Sequence, residues 1–273
     1  MKNTILPVTC LMALFIKPAT AITVFQADFE TGLGANTGTI TYNAGDNSQL
    51  ATTTTDPVFD DFVLFADPTS SGAAPTEITL TPSNPVSLTD VNYALFSFNF
   101  ALRRSNGNNK SHFVTGYDSS DNPIFQLVLG ELNEFGNGGN DRQRPGYATS
   151  GGGSANFVPA DIASGVNPGN FYFPGDGNHL DGKNFTNAEF NLEIRSDGWK
   201  VSSDSSFKDP FTTNLLPTFD GSTFNDLAYV KITGKTSAAG GYLDNLSIRS
   251  VPEPSSAVLL GLGGLALVLR RRK

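Results

Sequence analysis

The chain has 273 residues, with 26 acidic against 18 basic side chains for a formal net charge of −8, and a single cysteine. One thiol excludes an internal disulfide and a cysteine-ligated metal, so a chain of this size must be held by its core. The acidic balance excludes nucleic acid and anionic membrane surfaces as electrostatic partners.

The first 21 residues read as a secretory signal peptide. Lys2 supplies the positive start, Ile5 to Ile16 the apolar stretch, and Ala19-Thr20-Ala21 the small-x-small pattern cut by signal peptidase. Cleavage after Ala21 leaves Ile22 as the first mature residue and removes Cys10, the lone thiol. Pro7-Val8-Thr9 lacks the Leu and small residue that precede a lipidated cysteine, which argues against a lipoprotein. Six of the 18 basic residues sit in the two chain ends, so from Ile22 to Pro254 there are 26 acidic residues against 12 basic ones, a net −14.

Residues 22–250 read as one all-β domain. Gly, Asn, Ser, Thr, Asp and Pro crowd between short runs of Phe, Val, Ile, Leu and Tyr, and no helical period persists beyond about two turns. In chain order the predicted strands are Val24 to Phe29, Thr39 to Tyr42, Phe59 to Phe65, Tyr93 to Arg103, Phe113 to Tyr117, Ile124 to Leu129, Phe190 to Arg195, Trp199 to Ser202, Leu227 to Thr233 and Tyr242 to Ile248. The clearest is Tyr93 to Arg103, where Phe96, Phe98, Phe100 and Leu102 alternate with Ser97, Asn99, Ala101 and Arg103. Turn clusters at Asp118 to Pro123 and Ser196 to Gly198 predict two hairpins. Gly136 to Asn156 and Asn167 to Asn184 read as long loops. Many short strands without crossover helices predict a two-sheet antiparallel β-sandwich, a jelly roll.

The two ends of this body, Phe25-Gln26-Ala27-Asp28-Phe29-Glu30 and Tyr242-Leu243-Asp244-Asn245-Leu246-Ser247-Ile248, resemble the first and last strands of carbohydrate-binding jelly rolls and of laminin-G or concanavalin-like sandwiches. That resemblance implies opening and closing strands lying side by side, and acidic residues there, Glu30 and Asp244, as candidates for a structural calcium ion. Calcium needs ~6 to 8 oxygens, which carbonyls would have to complete.

No nucleophile elbow, phosphate loop or histidine pair at metal spacing occurs; His112 and His179 are the only histidines. Glu131 and Glu134, three apart after a predicted strand, point to opposite faces and make a poor hydrolase pair. No catalytic residue is assigned. Tyr147, Phe157, Phe171, Tyr172, Phe173 and Trp199 are candidates for stacking on sugar rings, although most aromatics, Trp199 included, are needed for the core.

The last 23 residues, Val251 to Lys273, hold three parts in order: Pro252-Glu253-Pro254, an apolar run from Ala257 to Leu269, and the basic end Arg270, Arg271, Arg272 and Lys273. The prolines predict an exposed, extended break after the last folded element. A helix over Ser255 to Leu269 is about 22 Å long at ~1.5 Å per residue, short of the ~30 Å hydrocarbon core. It makes a short transmembrane helix, with the triplet at the outer interface and the basic end held in the cytoplasm. This order and spacing resemble the PEP-CTERM sorting signal of Gram-negative bacteria that make extracellular polysaccharide. The resemblance implies cutting near the triplet by an exosortase-type membrane transpeptidase, only transient membrane residence, and delivery to the cell surface or a biofilm matrix. The body is then expected to be non-enzymatic and to bind glycan such as extracellular polysaccharide, the alternatives being a glycoside hydrolase on the same fold or a purely structural matrix component.

Overall fold

The computed structural model describes residues 20–30, 32–43, 48–53, 63–68, 76–102, 111–131, 143–148, 157–159, 188–203, 212–234 and 241–253. Apart from a 3-10 turn at Phe219–Gly221, their regular structure is all β: β1 (Ile22–Ala27), β2 (Thr39–Asn43), β3 (Ser48–Thr53), β4 (Val63–Pro68), β5 (Thr76–Thr81), β6 (Val86–Ser87), β7 (Asn92–Leu102), β8 (Ser111–Tyr117), β9 (Pro123–Glu131), β10 (Gln143–Ala148), β11 (Phe157–Pro159), β12 (Ala188–Ile194), β13 (Gly198–Ser203), β14 (Leu216–Pro217), β15 (Asp226–Leu227), β16 (Tyr229–Gly234) and β17 (Gly241–Pro252). Their order is β14-β13-β12-β7-β17-β4-β3 in one sheet, with β1 also on β17, and β11-β10-β9-β8-β16-β5-β2 in the other; β6 and β15 form a small ribbon. The pairings are antiparallel, including both expected hairpins, β8 with β9 and β12 with β13.

The two sheets close on one apolar core, because the strands place alternate residues on opposite faces. From the first sheet β7 sends in Phe96, Phe98 and Phe100, all fully buried, beside Phe190 and Leu192 of β12 and Trp199 and Val201 of β13. From the second come Val114, Phe125, Leu127, Leu129, Val230, Ile232, Ile78 and Leu80. Ring contacts join the layers: Phe125 lies 5.2 Å from Trp199, and Phe100 meets His112 edge-on at 5.2 Å. Each such side chain contributes roughly 1.5–3 kcal/mol relative to exposure. The two-sheet sandwich thus hides the core phenylalanines among the described residues from water.

Besides the strands β3, β5, β6, β11 and β14, which were not expected, four features differ from the sequence reading. Gln143–Ala148, expected within a loop, forms β10 and pairs with β9 from Gln143 opposite Glu131 to Ala148 opposite Gln126. Its Tyr147 is buried edge-on against Trp199 at 6.1 Å, so neither Tyr147 nor Trp199 is available as a sugar platform. The opening strand ends at Ala27, because Phe29 takes a left-handed backbone (φ 60°). The run from Leu227 to Thr233 divides between the small ribbon and the second sheet, and at the junction the Ala228 N–H donates to the Tyr117 carbonyl at 2.8 Å. Finally, the closing strand, expected to end at Ile248, runs on to Pro252, into the Pro-Glu-Pro triplet.

The expected signal peptide up to Ala19, Phe171 to Phe173, Pro254 and the apolar and basic tail with Arg270 to Arg272 lie outside the described residues. Among the described residues no helix is long and apolar enough to cross a membrane.

Candidate functional site

The last strand organises the outer face of the first sheet. β17 runs along β7 for almost its whole length, while its other edge is shared: Gly241 to Leu243 pair with β4, and Leu246 to Ser250 pair with β1. The handover occurs at a bulge between Asp244 and Ser247, where Asn245 adopts φ 51°. An extra residue re-aims a side chain. Asn245 is exposed, and the buried Asp244 carboxylate supports the bulge by accepting from the Asn245 N–H (2.7 Å) and amide (2.9 Å).

Outward-facing residues fall into rows across four strands. Thr23, Arg249, Leu95 and Glu193 form one row; Gln26, Ser247, Ser97 and Asn191 the next; Asp244, Asn99 and Glu189 a third. A groove of about 430 Å³ opens along these rows, lined by Thr23, Gln26, Ser97, Asn99, Glu189, Asn245, Ser247 and Arg249. Its floor is pre-set by a chain of hydrogen bonds. Ser97 Oγ donates to Asn191 Oδ1 at 2.6 Å, and Asn191 Nδ2 donates to Glu189 Oε1 at 3.1 Å. Arg249, also in the lining, has its Nε buried without a hydrogen-bond partner. A buried donor left unpaired is costly, so this nitrogen has capacity for an acceptor.

Beyond the groove the same face carries an ionic cluster. Arg195, just after β12, donates through Nε to Glu193 at 2.6 Å and through Nη1 to Glu253, and its guanidinium lies 5.0 Å from the centre of the Tyr93 ring. Lys200 stands 3.8 Å from Glu193. Burial pushes the Tyr93 phenol up, with the Glu193 and Glu253 carboxylates adding to it and Arg195 opposing them.

Of the sequence-predicted site residues, Ala21 is exposed, and Ile22 opens β1 opposite Ser250. Pro252 pairs with Asn92 at the end of β17 and Glu253 is half-buried, so this part of the triplet is docked on the body and is not the exposed break expected from its prolines. The proline is tolerated there because β1 ends at Ile22, opposite Ser250, leaving that edge unpaired. Glu30 is exposed after β1, Asp244 is buried, and among the described residues no group of three or more His, Cys, Asp or Glu side chains converges. A calcium ion at Glu30 and Asp244 would take its other ligands from carbonyl and amide oxygens. The groove residues were not singled out from sequence. Their one trace was the polar half of the β7 alternation, which reads equally as ordinary solvated surface.

Residues 250–273 match the family model of the PEP-CTERM protein-sorting motif. The chain ends in a PEP-CTERM sorting motif. The match begins inside β17, at the residues docked on β7. No protein of curated function matches the sequence. Among solved structures, the chain is similar to the carbohydrate esterase vb_24B_21 of the Shiga toxin-encoding bacteriophage phi24B, with a TM-score of 0.53 at 8% identity, over 86% of this chain and 100% of that one. Peanut lectin follows with a TM-score of 0.49 at 12% identity, over 87% of this chain and 100% of the lectin. At such identities the likeness concerns the fold alone.

Proposed function

We propose that this PEP-CTERM protein is an exported cell-surface or matrix protein, processed by an exosortase-type transpeptidase, whose sandwich binds glycan in the groove between β1, β17, β7 and β12. The observation that carries the reading is the groove's lining: three amides, hydroxyls from Thr23, Ser97 and Ser247, and Arg249 with a buried, unpaired Nε. Sugars present hydroxyls and ring oxygens at the spacing such side chains serve, and an acidic sugar would also offer Arg249 a carboxylate. The lining holds one carboxylate, Glu189, whereas retaining glycoside hydrolysis uses a pair ~5 to 5.5 Å apart, which favours binding over catalysis.

The test is retention of residues 22–253 on an array of neutral and acidic polysaccharides, with and without calcium. Retention that weakens about tenfold in both Asn99→Ala and Arg249→Ala, each costing one or two charge-assisted or neutral hydrogen bonds, supports the groove. Absence of retention on every polysaccharide leaves the structural matrix component as the reading.

A further inference from the structure

The sorting motif and the folded body meet at a defined place. β17 pairs with β7 through Val251 opposite Tyr93 and Pro252 opposite Asn92. One residue on, the Glu253 N–H donates to the Val91 carbonyl at 2.8 Å, and the Glu253 carboxylate accepts from Arg195 Nη1. Arg195 is itself fixed by Glu193 on one side and by the Tyr93 ring beneath it. Two of the three triplet residues are therefore held by main-chain pairing, a hydrogen bond and an ion pair from two separate parts of the body, the start of β7 and Arg195.

From these contacts we infer that the sandwich keeps its own sorting triplet closed: Arg195 and the Val91–Tyr93 end of β7 clamp Val251 to Glu253, and the processing enzyme must first peel this segment away. A segment already paired as a strand cannot at the same time lie in a second protein's cleft. Chain length sharpens the conflict. Only Pro254, Ser255 and Ser256 separate Glu253 from the apolar run that starts at Ala257, a reach of at most ~14 Å. While the clamp is shut, Glu253 is tethered within that distance of the start of the apolar run, so the near end of the sandwich crowds the place where a membrane-embedded enzyme has to work. Peeling off Val251 to Glu253 adds three residues of free chain and lifts the body away. Arg195 thus acts as a gate on processing without belonging to the motif, and the rate of release becomes a property of the body's last three paired residues. The clamp is independent of whether the groove binds glycan.

The test uses the full-length chain in its exporting host. Arg195→Gln keeps the hydrogen-bonding shape and removes the charge; its ion pair is about 30% exposed on both sides, so the expected effect is modest, processing about three- to fivefold faster by pulse-chase. The reverse variant, Tyr93→Cys with Val251→Cys, staples an opposed pair on β7 and β17. It is expected to accumulate unprocessed and to be released on adding reductant. A second readout needs no enzyme: hydrogen exchange on the detergent-solubilised full chain should show a protected Glu253 amide that Arg195→Gln deprotects. Processing at the wild-type rate in both variants, or a Glu253 amide that exchanges freely in the wild-type chain, overturns the clamp.

Discussion

His112 offers a quantitative test of the sandwich interior. It lies on β8 with 4% of its surface exposed, edge-on to Phe100, and its Nδ1 has no hydrogen-bond partner. Burial with no counter-charge pushes its pKa down from 6.5 to about 4. In the unfolded chain the imidazole takes a proton near 6.5, whereas the folded chain refuses one until about 4. Between those values the unfolded state binds more protons, so stability is full above pH 6.5 and falls as pH drops toward 4. A gap of roughly two and a half pH units, at about 1.4 kcal/mol each, makes the loss about 3 kcal/mol. Carboxylates also titrate in this window, so the quantity to measure is the difference between the wild type and His112→Leu. Urea unfolding of residues 22–253, followed by fluorescence of the only tryptophan, the buried Trp199, gives this difference at pH 7.5, 6, 5 and 4. His112→Leu should gain about 3 kcal/mol on the wild type between pH 7.5 and 4, most of it below pH 6.5. A difference that stays within about 0.5 kcal/mol across the range would refute the claim that the histidine is folded in as the neutral form.

Gly116 of β8 lies opposite Phe125, and a Cβ built there would run into the Phe125 ring. Gly116→Ala is therefore expected to cost about 1–3 kcal/mol by displacing Phe125 from Trp199, read as a lower urea midpoint at unchanged slope; an unshifted midpoint would contradict the packing. Because the Asp244 carboxylate is already satisfied by Asn245, chelation of calcium should leave the melting temperature of residues 22–253 unchanged. A chelator-induced fall of several degrees, abolished in Asp244→Asn, would instead assign the ion to Glu30 and Asp244.

Strand existence was readable wherever apolar and polar residues alternate over a run, because one buried face imposes a period of two on the sequence. β7, β8, β9, β12 and β13 were legible for that reason, and the two hairpins followed from Asp118 to Pro123 and Ser196 to Gly198. β10 was missed because its Gly and Pro suggest a loop, and what makes it a strand is the free edge of β9. β3, rich in Thr and Ser, carries too little alternation to announce itself, and β5 went unread because its alternation spans only two apolar residues, Ile78 and Leu80, among Thr and Glu.

The sorting motif belongs to the sequence alone, since charge order, apolar length and two prolines act through the chain's own composition at the membrane. The groove belongs to the tertiary structure. Gln26, Ser97, Glu189, Asn245 and Arg249 come from four strands spread over more than 200 residues, and only antiparallel pairing across β1, β17, β7 and β12 sets them side by side. The grip on Glu253 has the same origin: no local pattern links Arg195 to a residue 58 positions away, and only the register of the sheet puts a guanidinium beside that carboxylate.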